Sequence, residues 1–210
     1  MPLYKRIEVS NFTRVFVWKI EESLTDLLSD IQLTQNSESR IYSMRSEIHQ
    51  KGYASVRQLL KVAGYSDTDL IYDGFGKPHL VDGNFISISH SFSFSGIIIS
   101  AENPVGIDIE KQRDKIVKIA HKFTSLEDCK SITNRHKLIS KLTIIWGAKE
   151  SLYKTYGKKK LLFLHHIHIR DFEISDGQTI GEICYEETIS THIIYFLEFE
   201  GYVCVYALNK

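Results

Sequence analysis

The stretch Val105-Gly106-Ile107-Asp108-Ile109-Glu110 (105–110) decides how this chain is read. Its β-branched residues alternate with Gly106, Asp108 and Glu110, which is the period of a strand. Val105, Ile107 and Ile109 are expected to point to the core, and Gly106, Asp108 and Glu110 the other way. Two carboxylates two residues apart on one strand face repel each other unless a cation sits between them. A hard cation with oxygen ligands, Mg²⁺ above all, suits such a pair. Taken alone, the hexapeptide is equally well a solvated strand edge with two ordinary acids.

Further along, residues 136–156 carry the strongest helical pattern of the chain, with Leu138, Leu142, Ile145 and Leu152 as the apolar stripe. At ~100° per residue, Glu150 falls about 140° and Lys154 about 180° from Ile145. Trp146, Glu150 and Lys154 follow at i, i+4 spacing and form a ridge. A lone Glu150–Lys154 pair would be a surface contact worth roughly a few tenths of a kcal/mol. Strand and helix together offer more. Asp108, Glu110 and Glu150 could hold Mg²⁺, and Lys154 could meet phosphate oxygens.

Around this centre, residues 12–20 read as a strand and 21–62 as helical, with Leu24, Leu27, Leu28 and Ile31, then Val56, Leu59 and Leu60, at helical spacing. Gly64 ends the second helix. DGFGKPHLVDG (73–83) is glycine-rich and holds a proline, so it reads as loop and turn. In FISISHSFSFSGIIIS (85–100), Ile86 and Ile88 alternate with Ser87 and Ser89 as in a strand, and GIIIS reads as a second, more buried one. Residues 111–123 look helical, with Ile116, Ile119, Ala120 and Phe123 on one face. Residues 162–208 read mostly as strands, with turns at Asp176-Gly177 and Glu200-Gly201. Strands mixed with long helices, without strict alternation, indicate an α+β fold. A turn at Asn103-Pro104 divides the chain into halves, 1–103 and 104–210.

The composition narrows the function classes. Of 210 residues, 43% are apolar and 11% aromatic, enough for a substantial core. The 26 basic and 26 acidic side chains cancel, so no global attraction to nucleic acid is indicated. Cys129, Cys184 and Cys204 form no CxxC pair, which suggests reduced thiols in a cytosolic protein rather than a zinc ribbon or disulfide scaffold. MPLYKRIEVS lacks the apolar centre of a signal peptide. No apolar run approaches the ~18 residues of a membrane helix. A cytoplasmic protein without membrane contact is the expectation. His165, His166 and His168 do not make a zinc set, because His166 and His168 would share a strand face while His165 points away and no cysteine is near. Ser89, His90 and Asp108 lack the GxSxG elbow of a hydrolase.

VGIDIE, followed downstream by WGAKESLYK (146–154), resembles the two-part signature of the 4′-phosphopantetheinyl transferase superfamily. That signature runs (V/I)-G-(I/V)-D-x-E and then (F/W)-x-x-K-E-(S/A)-x-x-K. Gly106, Asp108, Glu110, Trp146, Lys149, Glu150, Ser151 and Lys154 match it. Gly76-Lys77-Pro78 resembles the family's GKP motif, and Ser87-Ile88-Ser89-His90-Ser91 its (N/S)-(I/V)-S-H-S motif. Arg57-Gln58-Leu59-Leu60 adds a weaker similarity. The length resembles that of the monomeric, two-half branch. Two features depart from the family: the interval between Arg57 and Gly76 is short, and Lys158–Lys160 stands where many relatives carry a glycine.

The resemblance implies two similar α+β halves in a pseudo-twofold arrangement, with the active site at their interface. Residues 1–103 would contact the nucleotide of coenzyme A, and 104–210 would carry metal binding and catalysis. Asp108, Glu110 and Glu150 would coordinate Mg²⁺. Glu150 would also act as general base, and Lys154 would neutralise charge on the phosphates. Lys149 is either a second phosphate contact or a surface residue. Lys77 would meet nucleotide phosphates, Ser89 and His90 the 3′-phosphate, and Arg57 the nucleotide, with Arg40 and Arg45 as further phosphate candidates. The implied reaction moves phosphopantetheine from coenzyme A to a serine of an apo acyl or peptidyl carrier protein, releasing 3′,5′-ADP. Lys158–Lys160 is a candidate patch for an acidic carrier. The rival readings are a non-catalytic relative that binds coenzyme A or a carrier, and a Mg²⁺-dependent phosphodiesterase.

Overall fold

The computed structural model describes residues 3–125, 132–158 and 160–210; Cys129 and Lys159 lie outside them. The chain divides into two units, Met1–Asn103 and Pro104–Lys210. Each is α+β, with one antiparallel sheet and helices of its own.

The first unit is built from strands β1 (Leu3–Glu8), β2 (Thr13–Lys19), β3 (Leu70–Tyr72), β4 (Pro78–Leu80), β5 (Phe85–Ser91) and β6 (Phe94–Ser100). They lie in the order β1-β2-β6-β5-β4-β3. Helices α1 (Leu24–Leu28), α2 (Gln35–Ser43) and α3 (Glu47–Ala63) accompany them. Val56, Leu59, Leu60 and Ala63 of α3 pack with Phe16, Ile86, Ile97 and Ile99 in one core. Residues 21–62, read from sequence as helical in character, form three helices, separated where polar side chains cap new ones. Ser23 accepts the N–H of Asp26, and Thr34 accepts that of Ser37. Residues 73–83 are not all loop, because β4 lies among them. Asp73 folds its end of the β3–β4 hairpin by accepting the N–H groups of Phe75 at 2.8 Å and Lys77 at 2.9 Å, around Gly76 at φ +85°.

The second unit carries β7 (Val105–Lys111), α4 (Lys115–Ile119), α5 (Arg135–Tyr156), α6 (Phe163–His166), β8 (Ile167–Ile169), β9 (Gln178–Tyr185), β10 (Thr188–Phe199) and β11 (Tyr202–Asn209). The strand order is β7-β11-β10-β9-β8. Asn134 caps α5 by accepting the N–H of Lys137, and Gly157 ends it at φ +71°. Leu142, Ile145, Ala148 and Leu152 share a core with Ile194, Val203, Val205 and Ala207. Ala120 and Phe123 join it, with Ile116 and Ile119 packed against it.

Val105, Ile107 and Ile109 are buried, as the sequence period predicts. The α5 core lies on the opposite face of β7. Val203, Val205 and Ala207 pair across the ladder with Glu110, Asp108 and Gly106, so the acids share the helix-covered face. The burial of α5 extends well beyond its apolar stripe. From Ser140 to Thr155 it is buried almost all round, with only Trp146, Glu150, Tyr153 and Lys154 partly open. No helix among the described residues is long and apolar enough to cross a membrane.

Candidate active site

The close approach of β7 to α5 is set by glycines on both elements. A Cβ on Gly106 would lie 1.9 Å from the carbonyl oxygen of Ser151 and 2.6 Å from Thr155 Oγ1. A Cβ on Gly147 would lie 2.7 Å from Val205 Cγ2 and 3.7 Å from Asp108 Oδ2. Only a residue without a side chain fits at either place. Ser151 Oγ donates to the carbonyl of Val205 at 3.0 Å and ties α5 to β11. Lys154 Nζ donates to the carbonyl of Ile107 and to Asp108 Oδ1, each at 2.8 Å. Strand, helix and lysine thereby place the Asp108 carboxylate, 5% exposed, against α5.

Glu150 stands on the open strip of α5. Burial raises its pKa to about 7, the Asp108 charge adds to the rise, Lys154 lowers it, and Glu110 raises it further. Glu150 therefore feels the charges of both Asp108 and Glu110, with the Lys154 ammonium as a counter-charge on the same helix. Among the described residues no three acid, histidine or cysteine side chains are drawn together into a metal cluster. Lys154 holds one oxygen of Asp108. By donor type the set fits a hard divalent ion: it is all carboxylate oxygen.

Lys149 departs from both sequence readings. It is neither a phosphate contact nor a surface residue, being 5% exposed. Its Nζ donates to the carbonyls of Phe163 at 2.6 Å and Ile167 at 2.5 Å. The Phe163 ring lies 5.4 Å from Trp146 and 5.9 Å from Tyr153, centroid to centroid. Sequence spacing gave no signal of this contact, because its partners lie on a separate element.

In the first unit, Ser89 and His90 point to opposite faces of β5, Ser89 buried and His90 exposed. The His90 ring lies over α3, where a Cβ on Gly52 would come within 3.0 Å of its Nδ1. Lys77 follows the Asp73 turn, and burial lowers its pKa against the opposing pull of Asp73. Arg57 requires a second correction. It is 3% exposed and its guanidinium is spent inward. Nε donates to Asp67 at 2.9 Å, and NH2 donates to the Tyr53 hydroxyl at 2.6 Å. The guanidinium also lies 3.5 Å from the centroid of the Tyr53 ring. Asp67 accepts in addition from the Thr34 N–H and hydroxyl and from the Ser37 hydroxyl. Arg57 is a strut of the first unit, not a nucleotide contact. Arg40 lies nearer the surface, 5.8 Å from the Tyr53 ring and 5.9 Å from that of Tyr72.

Fold and site together define an α+β protein whose second unit carries an acid-rich centre beside a lysine. The family model described as the 4′-phosphopantetheinyl transferase superfamily matches residues 104–207, nearly the whole of that unit. The chain is 29% identical over 153 residues to 4′-phosphopantetheinyl transferase gsp of Aneurinibacillus migulanus, covering 70% of this chain and 62% of that protein. It is 26% identical over 174 residues to 4′-phosphopantetheinyl transferase ffp of Bacillus subtilis, covering 78% of this chain and 75% of that one. The match thus spans less than two thirds of the first relative's length. The chain belongs to the 4′-phosphopantetheinyl transferase superfamily.

Proposed function

We propose that this protein transfers the 4′-phosphopantetheine group of coenzyme A to a serine hydroxyl of an apo carrier protein. The observation that carries the reading is the setting of Glu150: it is partly buried on α5, and the charges of Asp108 and Glu110 on β7 and of Lys154 on its own helix all act on it, with Lys154 paired to Asp108. Such an arrangement suits a site that receives a divalent ion together with a diphosphate.

Asp108, Glu110 and Glu150 would hold the metal. Mg²⁺, when bound there, would supply the positive charge that screens the pyrophosphate and stabilises the departing phosphate. Lys154, oriented by the Ile107 carbonyl, would add a fixed cation beside the phosphates. Glu150 would take the proton of the carrier serine, directly or through water. The serine oxygen forms its bond to the β-phosphorus as the bond from that phosphorus to the bridging oxygen breaks. The 3′,5′-ADP leaves with the electron pair. Lys77, Ser89 and His90 would bind the nucleotide end. The strip left open by Trp146, Glu150, Tyr153 and Lys154 gives the serine an approach to Glu150. The described part of the basic run, Lys158 and Lys160, is exposed and would attract an acidic carrier.

The test is intact-mass measurement after incubation with coenzyme A, Mg²⁺ and a panel of apo carriers from fatty acid, polyketide and nonribosomal peptide systems. The expected result is a gain of one phosphopantetheine group on at least one carrier, abolished by Asp108→Ala. Coenzyme A binding without transfer to any carrier would support the binding relative. Release of phosphopantetheine with no carrier present would support the phosphodiesterase. Full transfer by Asp108→Ala would contradict the assigned centre.

A further inference from the structure

We propose that Lys149 is a positioning residue that sets the wall beside Glu150 by latching α6 to α5. The inference rests on the reading that Glu150 belongs to the transfer site. The ammonium of Lys149 is delivered to the backbone of a four-residue helix, at the carbonyls of Phe163 and Ile167. A cation at a helix C-terminal end interacts favourably with the carbonyl dipoles there. The latch joins the His166 side chain, which accepts the N–H of Leu162 and rests on the Tyr185 ring, in fixing the direction in which Phe163 projects.

The direction matters because of where the ring goes. Phe163 stands against both Trp146 and Tyr153, which lie four residues before and three after Glu150. These spacings put the two aromatics on either side of Glu150 along the helix surface. Trp146 is braced on its other flank by Phe123, at 5.1 Å between centroids. It also lines a cavity of about 170 Å³ with Glu110, Arg113, Ile116 and Thr143. A single chain of contacts therefore runs from Lys149 through Phe163 to Trp146, and ends at the cavity that Trp146 lines with Glu110, one helical turn before Glu150. On the same helix Lys154 is tied to β7 and Lys149 to α6. The two lysines hold α5 to different partners on either side of Glu150.

The experiment compares Lys149→Met, Lys149→Arg, Phe163→Ala and the Lys149→Met/Phe163→Ala pair in the full chain. Methionine keeps the length and cannot donate. Arginine can donate to both carbonyls, and the cavity of about 330 Å³ that Lys149 lines gives its larger head room. Lys149→Met is expected to lower kcat at least tenfold, with KM for coenzyme A within about twofold of wild type. Lys149→Arg should recover most of the loss. The double variant should be no worse than the poorer single one, since both break one chain of contacts. Amide hydrogen exchange over residues 162–169 should quicken in Lys149→Met and not in Lys149→Arg. Unchanged kcat in Lys149→Met, or a change in coenzyme A KM alone, would overturn the proposal. So would losses that multiply in the double variant. If the wild-type chain transfers nothing, the transfer reading fails, and the exchange measurement still decides whether the latch exists.

Discussion

Each unit sets a cation from its longest helix against an aspartate, at nearly the same distance. Arg57 of α3 meets Asp67 at 2.9 Å, and Lys154 of α5 meets Asp108 at 2.8 Å. The surroundings differ. Arg57 and Asp67 are 3% and 1% exposed, one charge balances the other, and Asp67 accepts three more hydrogen bonds from Thr34 and Ser37. Lys154 is 27% exposed, and its aspartate acts on the Glu150 carboxyl, which also feels Glu110. A buried pair is tolerated when charge is matched and oxygens are filled. Excess charge of one sign at a partly open place weakens the fold and is retained where a ligand supplies the missing charge. Balance and enclosure, more than the ion pair itself, separate a strut from a site.

The sharpest way to break that contrast is to neutralise each side in turn. Glu150→Gln removes a repulsive carboxylate and keeps the shape. Transfer should fall by about 100- to 1,000-fold, in the range seen when preorganised electrostatic groups are lost. The urea midpoint should stay level or rise. Asp67→Ala strands the Arg57 charge in the interior and should cost about 3–5 kcal/mol. Its folded fraction should transfer at the wild-type rate. Urea unfolding beside mass-read transfer checks both. A destabilised Glu150→Gln, or a folded and inactive Asp67→Ala, would dissolve the distinction.

Glycines sharpen the same comparison at a smaller scale. A methyl on Gly106 meets the Ser151 carbonyl, which is backbone and cannot move aside. Gly106→Ala should cost about 1–3 kcal/mol by overpacking. By shifting β7 against α5 it should also slow transfer by about 100-fold. A methyl on Gly52 meets the imidazole of His90, an exposed side chain that can swing. Gly52→Ala should leave stability level or raise it by up to about 1 kcal/mol, since alanine favours a helix. If His90 contacts the nucleotide, this variant raises KM for coenzyme A and spares kcat. Steady-state kinetics on both variants separates the two effects.

Much of this arrangement is legible in the sequence, and the parts that are not share a cause. The period of Val105–Glu110 fixes a strand with Asp108 and Glu110 on one face. The helical stripe from Leu138 to Leu152 reaches the core. Both are local patterns that repeat within a few residues. Which face of β7 carries the helix is not local. It depends on Gly106 and Gly147 admitting α5, and on Val203, Val205 and Ala207 lying across the ladder. Arg57 reads as a nucleotide contact until Asp67, ten residues on, is folded beneath it. Lys149 reads as a second phosphate lysine or a surface residue until α6 offers its carbonyls. The β3–β4 hairpin is hidden by its glycines and proline, because Asp73 supplies the turn that holds it. Residue types announce the chemistry available, whereas partners distant in sequence decide which charges stay inside.

The smallest effect lies in acid. Burial alone would raise the pKa of Asp67, but the hydrogen bonds from Thr34 and Ser37 and the charge of Arg57 outweigh it and hold the carboxyl below its usual range. In the unfolded chain an aspartate titrates near ~3.9. The unfolded state then binds more protons than the folded one below that value. The stabilisation is complete above it and is lost as pH falls through the lower, folded value. Asp67→Asn removes this titration, so the wild-type urea midpoint should drop more steeply than that of the variant between about pH 5 and pH 2. Asp30, Asp69, Asp73 and Asp171 are also held low by their hydrogen bonds, so the wild type alone would not isolate the pair. The difference between the two curves does. Parallel curves would mean that the Arg57–Asp67 contact carries no differential charge stabilisation, and the strut would then rest on packing of Arg57 over Tyr53.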